Sequence, residues 1–173
     1  MHRFTELIDH CTKFSIETLK EVDGRTREAL EIGGETIHVR SLQMTQMHRA
    51  ILAVGMFSLF EASLQDALGG DGFGAAKKIL DDQNEPDVKG RLDDLILAIN
   101  VLKHGRGRSY NALVAKAESL SFKVKLDGED FFDEGNVAEI RTLVEVDDEF
   151  VQRCADAIAD VSEVVRRVGF VFT

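Results

Sequence analysis

The sequence predicts a mainly α fold: a bundle of about five to six helices with one or two small β-hairpins, in a single domain spanning 1–173. Three observations carry that expectation. Apolar residues recur at steps of three and four along most of the chain, the period of helices that bury one face. A single proline interrupts 173 residues, and proline is the strongest helix breaker. Two short stretches, 28–41 and 122–146, change to a period of two, the mark of half-buried strands.

The elements follow in order. From Arg3 to about Val22, the residues Phe4, Leu7, Ile8, Cys11, Phe14, Ser15, Thr18 or Leu19 and Val22 keep helical spacing, and Asp23-Gly24 is expected to stop the helix. In 28–41, EALEIGGETIHVRS, a two-residue turn at Gly33-Gly34 pairs Leu30 with Ile37 and sets Leu30, Ile32, Ile37 and Val39 on one face of a hairpin, with Glu31, Thr36 and His38 on the other. Residues 42–68 form the longest helical stretch, apolar nearly all round, as expected of a central helix; Gly55 and Ser58 permit another helix to approach closely. The run GGDGFG from Gly69 to Gly74 lacks the GK[ST] ending of a phosphate loop and follows a helix rather than a strand, so it reads as a mobile interhelix loop. A short helix from Ala75 to Gln83 ends at Asn84-Glu85-Pro86.

Next comes an amphipathic helix from Val88 to His104, burying Val88, Leu92, Leu95, Ile99 and Leu102. Ser109 is placed to cap a helix over Tyr110–Leu120. Phe122, Val124 and Leu126 alternate with Lys123 and Lys125 as a strand, Asp127-Gly128 turns, and 140–146 offers a partner strand with Ile140, Thr142, Val144 and Val146 on one face. Asp147-Asp148 caps the last helix, which buries Phe150, Val151, Cys154, Ile158, Val161, Val165 and Val168 and runs up to Gly169. The apolar tail FVFT is expected to pack back or meet a partner. No repeat at solenoid periods and no low-complexity linker stands out.

Composition narrows the function. With 44% apolar and 30% charged residues the chain is an ordinary soluble protein. A net charge of −10 argues against a broadly basic surface that coats nucleic acid, and leaves Lys103 to Arg108 as the densest positive cluster. Cys11 and Cys154 lie on expected apolar faces and read as reduced core thiols. Glu6, Asp9 and Lys13 interrupt any N-terminal signal region. The longest uncharged apolar run, Ala50 to Phe60, is well short of the roughly 20 residues of a membrane span. A cytoplasmic protein with no membrane partner is expected. His2, His10, His38, His48 and His104 are scattered, with no HExxH, and there is no cysteine pair, so no metal and no cofactor are expected. The acidic groups at Asp81-Asp82, Asp93-Asp94, Asp130–Glu134 and Asp147–Glu149 fall mostly at helix starts or in loops, where carboxylates cap or are solvated.

The chemistry concentrates at one helix end. Asp93, Leu97, Asn100 and His104 follow one another along the flank of the 88–104 helix, outside its core stripe. Gly105 suits a left-handed helix end, and Lys103 and His104 suit the negative pole of the helix dipole. An imidazole placed there can act as general base on a ribose 2′-hydroxyl or as general acid on the leaving oxygen, with Asn100 one turn away to orient it or donate to a phosphate. Arg106 and Arg108 alternate with Gly105 and Gly107, so that two guanidiniums and backbone amides can meet one phosphate. The plain alternative is a histidine held by the dipole beside a solvated basic loop.

A helix ending Asn100-x-x-x-His104-Gly105 resembles the HEPN superfamily, small helical domains of prokaryotic defence and toxin–antitoxin systems. The resemblance implies a homodimer whose paired motifs meet to cleave RNA without metal, with His104 and Asn100 catalytic and Lys103, Arg106 and Arg108 binding phosphate. It also implies a cognate partner protein. The family's motif carries an arginine separated from the histidine by four to six residues; the positions five, six and seven before His104 are Ile99, Ala98 and Leu97, which implies a weakened site. The competing expectation is a non-catalytic helical dimerisation or interaction module, in which the flank with Leu97 forms a subunit contact.

Overall fold

The computed structural model describes residues 4–33, 36–129 and 140–170. Among them are six α-helices: α1 Phe4–Ile32, α2 Thr36–Leu68, α3 Gly72–Asp82, α4 Pro86–His104, α5 Arg108–Val114 and α6 Asp148–Arg167, with a 3₁₀ turn at Ala117–Ser119. The expected helical bundle is present. α2 packs against α1, α3, α4 and α6, so the bundle is built round it. Its Phe57, Phe60 and Leu64 meet Leu80 of α3, Leu92 of α4 and Ile158 and Val161 of α6 in one fully buried cluster. The rings of Phe57 and Phe60 each lie 6.1 Å from Phe73, and Phe4 of α1 stacks on Phe60 at 6.3 Å.

A buried arginine ties three helices together at the other end of α2. Arg49 is 3% exposed; its Nε donates to Asp148 of α6 at 2.8 Å and its Nη2 donates to Asp23 of α1 at 2.9 Å. Burial alone would lower the pKa of this guanidinium, and the hydrogen bond and charge of Asp148, then those of Asp23, outweigh it and hold the pKa above its ordinary value. Thr45, one turn before Arg49, also donates to Asp23.

Several expectations are corrected. The hairpin over 28–41 does not form: Leu30 and Ile32 close α1, Ile37 and Val39 open α2, and Ile32 is 91% exposed. A two-stranded hairpin is marginal without a surface to lie on, whereas both helices extend cooperatively from well-packed middles. Gly34, half of the expected turn, lies outside the described residues. Asp23-Gly24 does not stop α1, because Asp23 is drawn inward as the acceptor for Arg49 and Thr45. The face of α1 that is buried is Ile8, Thr12, Ile16 and Leu19, with Thr26; Leu7, Phe14 and Val22 are exposed. Cys11 is likewise exposed, while Cys154 is buried, and burial pushes its thiol pKa up.

Gly72-Phe73-Gly74 is the first turn of α3 rather than a loop, with the Asp71 carboxylate accepting from the Gly74 amide at 3.1 Å. Glycine is required at 72, where a Cβ would sit 2.8 Å from the Gln65 nitrogen and the Glu61 oxygen of α2. Pro86 opens α4 at its first position. α5 is capped by Gly107 instead of Ser109 and ends at Val114. The second hairpin reduces, among the described residues, to one antiparallel bridge between Val124 and Val144, flanked by bonds from Lys125 N to Leu143 O at 2.9 Å and Glu145 N to Lys123 O at 3.0 Å. It stops there because the Thr142 amide is turned back onto Ile140 O at 2.8 Å. Asp130–Glu134 lies outside the described residues. α6 follows expectation: Asp147 caps it by accepting from Phe150 N at 2.7 Å, and Phe150, Val151, Cys154, Ile158, Val161 and Val165 are buried, though Val168 is exposed. Of the tail, Phe170 is exposed and 171–173 lie outside the described residues.

Candidate functional site

The basic helix end is built as the spacing implies, with Arg106 engaged elsewhere and Lys103, His104 and Arg108 exposed. Leu92, Leu95, Ala98, Ile99 and Val101 anchor α4 in the core. That fixes the flank: Asp93, Leu97 and Asn100 are half-buried and His104 is exposed one turn past Asn100. Leu97 packs against the core with one side and keeps part of its surface exposed. The Gly105 amide bonds Val101 O at 2.8 Å, and Gly105 has φ 72 and ψ −143, a positive φ of the kind that favours glycine though not the left-handed helical pair of angles.

The two arginines part company here. Arg106 is turned onto the Tyr110 ring, 5.1 Å from its centroid, and pairs with Asp127. The Asp127 hydrogen bond, then its charge, holds the Arg106 pKa above its ordinary value. Tyr110 is itself fixed by donating to Lys125 O at 2.8 Å. Arg108 opens α5 and is exposed, as is Lys103. Among the described residues Lys103, His104 and Arg108 have no ion pair, so three side chains of the turn are open to an anion and the fourth is engaged. Arg106 borders a cavity with Lys125, Glu129 and Arg141, and Asn100, Lys103, His104 and Arg108 wall neither that one nor the cavities beside Phe122. No three His, Cys, Asp or Glu side chains gather into a metal-binding group among the described residues.

A larger feature lies on α2. Ile37, Met44, Met47, Ile51 and Leu59 are all exposed, Met44 at 70% and Ile51 at 64%. By length and composition α2 is apolar enough to cross a membrane, and 28% of its most apolar 18-residue window is buried. Its inward side is nonetheless committed to the bundle through Arg49, Phe57, Phe60 and Leu64. α1 also leaves apolar side chains in water. Around α1, Lys20 points to α6 and Thr12 to Met56 of α2, and the exposed line of Leu7, Cys11 and Phe14 lies beyond Thr12 on the side away from Lys20. Sequence periodicity placed Leu7, Cys11 and Phe14 in the core because both lines on α1 are apolar. The available signal was α2 being apolar on more sides than a bundle can cover.

No family model matches this sequence, and neither does a curated protein or a solved structure.

Proposed function

We propose that the chain is a non-catalytic helical interaction module that docks through the outer face of the α1–α2 pair. One observation carries this: Met44, Ile51, Leu59 and Phe14 hold most of their surface in water on a bundle in which α6 is cleanly amphipathic. Contiguous apolar patches of several hundred Å² on soluble proteins mark contact surfaces. The test is a photo-crosslinking residue at position 51 in growing cells. Protein adducts at 51, and none from the same residue at the exposed polar position Asp156, support docking; no adduct at 51 overturns it.

The second reading, an RNA-directed HEPN-like ribonuclease with a weakened site, is favoured by the open cluster of Lys103, His104 and Arg108. It requires Asn100 and His104 to meet a phosphate that the turn must hold with those cations. Expression toxicity separates it from docking. Growth slowed by the wild type and restored by His104→Ala, together with cleavage of total RNA in EDTA, supports the ribonuclease; unaffected growth and intact RNA remove it.

A further inference from the structure

We infer that the occupant of the α2 face is a second copy of this chain, crossing antiparallel about a two-fold axis opposite Ala53, with Gly55 at the point of closest approach. The inference rests on the docking reading and names its partner.

The first argument is the pattern along the face. Ile37, Met44, Ile51 and Ser58 follow one another at steps of seven, with His48, Gly55 and Ala62 interleaved, so one seam runs the length of α2. Its first half is large and its second half small. A two-fold contact must be self-complementary, each residue of one copy meeting its counterpart in the other. Reversing the second copy about Ala53 sets Met44 against Ala62 and Ile51 against Gly55, large into small on the seam, and brings the flanking Met47 level with Leu59. A parallel pair would set Met44 on Met44 and leave Gly55 facing Gly55.

The second argument is the glycine. Nothing lies within 4 Å of where a Gly55 Cβ would be, so no contact inside this chain requires a residue that weakens the middle of a 33-residue helix. It sits one turn from both Ile51 and Leu59 and forms a notch between exposed side chains, the shape a facing Ile51 fills. The third is charge. Arg40 and Asp66 are exposed, stand equally far from Ala53 and have no ion pair among the described residues; the antiparallel register brings each arginine to the end where the other copy's Asp66 stands. The fourth is area. Five exposed large side chains, Ile37, Met44, Met47, Ile51 and Leu59, uncover on the order of 100 Å² each, more than half of the roughly 800 Å² per partner of a standard interface before the rest of the seam is counted.

The test uses the full chain. Sedimentation velocity over a concentration series should show a reversible dimer, and Ile51→Asp should shift it to monomer by at least tenfold in dissociation constant with the helical circular dichroism unchanged. Register is read with a short bismaleimide on single cysteines in a Cys11→Ser background. Ile51→Cys should crosslink, since its two copies lie about 6 Å apart along the axis, and Met44→Cys should not, at about 27 Å. Met44→Cys with Ala62→Cys in one chain should crosslink efficiently. A monomer at every concentration, a dimer untouched by Ile51→Asp, or crosslinking by Met44→Cys alone overturns the inference. Photo-adducts at 51 separate this failure from failure of docking: a mass of twice the chain supports the second copy, adducts only to another protein overturn it while docking stands, and no adduct removes both. Flotation of the monomer with anionic vesicles also overturns it and assigns the face to lipid.

Discussion

On α6 the buried residues Phe150, Val151, Cys154, Ile158, Val161 and Val165 hold one side and Glu149, Asp156 and Glu163 hold the other; on α2, Phe57, Phe60 and Leu64 go inward while Met44, Ile51 and Leu59, equally apolar, stay outside. The two helices are oriented by different means. α6 has a polarity contrast, so hydrophobic burial alone decides which side faces the core. α2 has almost none, and burial alone would leave its rotation nearly undetermined. Its rotation is set instead by Arg49, whose guanidinium finds carboxylates on α1 and α6 in one arrangement. A buried ion pair is better evidence of such specification than of net stability.

The sharpest way to break this comparison is therefore at Arg49. Arg49→Met leaves Asp23 and Asp148 facing each other across a gap, at 16% and 23% side-chain exposure. Those carboxylates keep some solvent and Asp148 keeps Lys20 at 3.9 Å, so the loss is expected near the lower end for a broken buried pair, about 3 kcal/mol. Urea unfolding followed by circular dichroism measures it. If rotation of α2 depends on this residue, Arg49→Met will also bind a hydrophobic dye more strongly than a comparably destabilised core variant such as Ile158→Ala. Equal dye binding would return the orientation of α2 to packing alone.

A smaller effect tests the clean side of the comparison. Cys154 is buried on α6 and its pKa is raised above the model-peptide value of 9.0 by desolvation. The folded state therefore holds the proton more tightly than the unfolded state. Its contribution is fully present below pH 9 and is lost as pH rises, because only the unfolded thiol ionises. At pH 10 the loss from this group is about 1.4 kcal/mol. Cys154→Ala removes it at the expense of a small cavity, so the stability gap between wild type and variant should narrow from pH 7 to pH 10 in reducing buffer. A gap that stays constant would mean that the thiol reaches water.

How much was legible follows the same division. Periodicity located α4 and α6 to within two residues; on α6, whose polar and apolar sides differ, it picked the buried stripe, and on α4, where the contrast is weak, it found Leu92, Leu95 and Ile99 and missed Ala98 and Val101. It failed on α1, where Leu7, Cys11 and Phe14 compete with Ile8, Thr12 and Ile16 and nothing local says which line is covered. It failed again at 28–41, where an alternating pattern across two helix ends imitates a hairpin. Gly72 was legible as a breaker and is in fact a spacer, since its reason lies in the α2 backbone 2.8 Å away. At the basic turn the sequence placed Asn100 and His104 one turn apart, as found, but could not show that Arg106 is spent on Asp127 and Tyr110: that pairing joins residues 21 apart in the chain.

The smallest predicted effect is the one that most directly contrasts the two sides of α2. Gly55→Ala adds a methyl where no atom of this chain stands within 4 Å. Within one copy the change should stabilise by about 0.5–1 kcal/mol, because alanine loses less backbone freedom on entering a helix. Across the proposed seam the methyl takes the space into which Ile51 of the second copy fits, so the dissociation constant should rise. The two effects have opposite signs and are read separately: thermal melts at a concentration where the chain is monomeric should move up by a few degrees, and sedimentation at higher concentration should show weaker association. A purely solvated face gives the first shift without the second. A glycine required by contacts inside the chain gives neither, and Gly55→Ala would then melt lower than wild type.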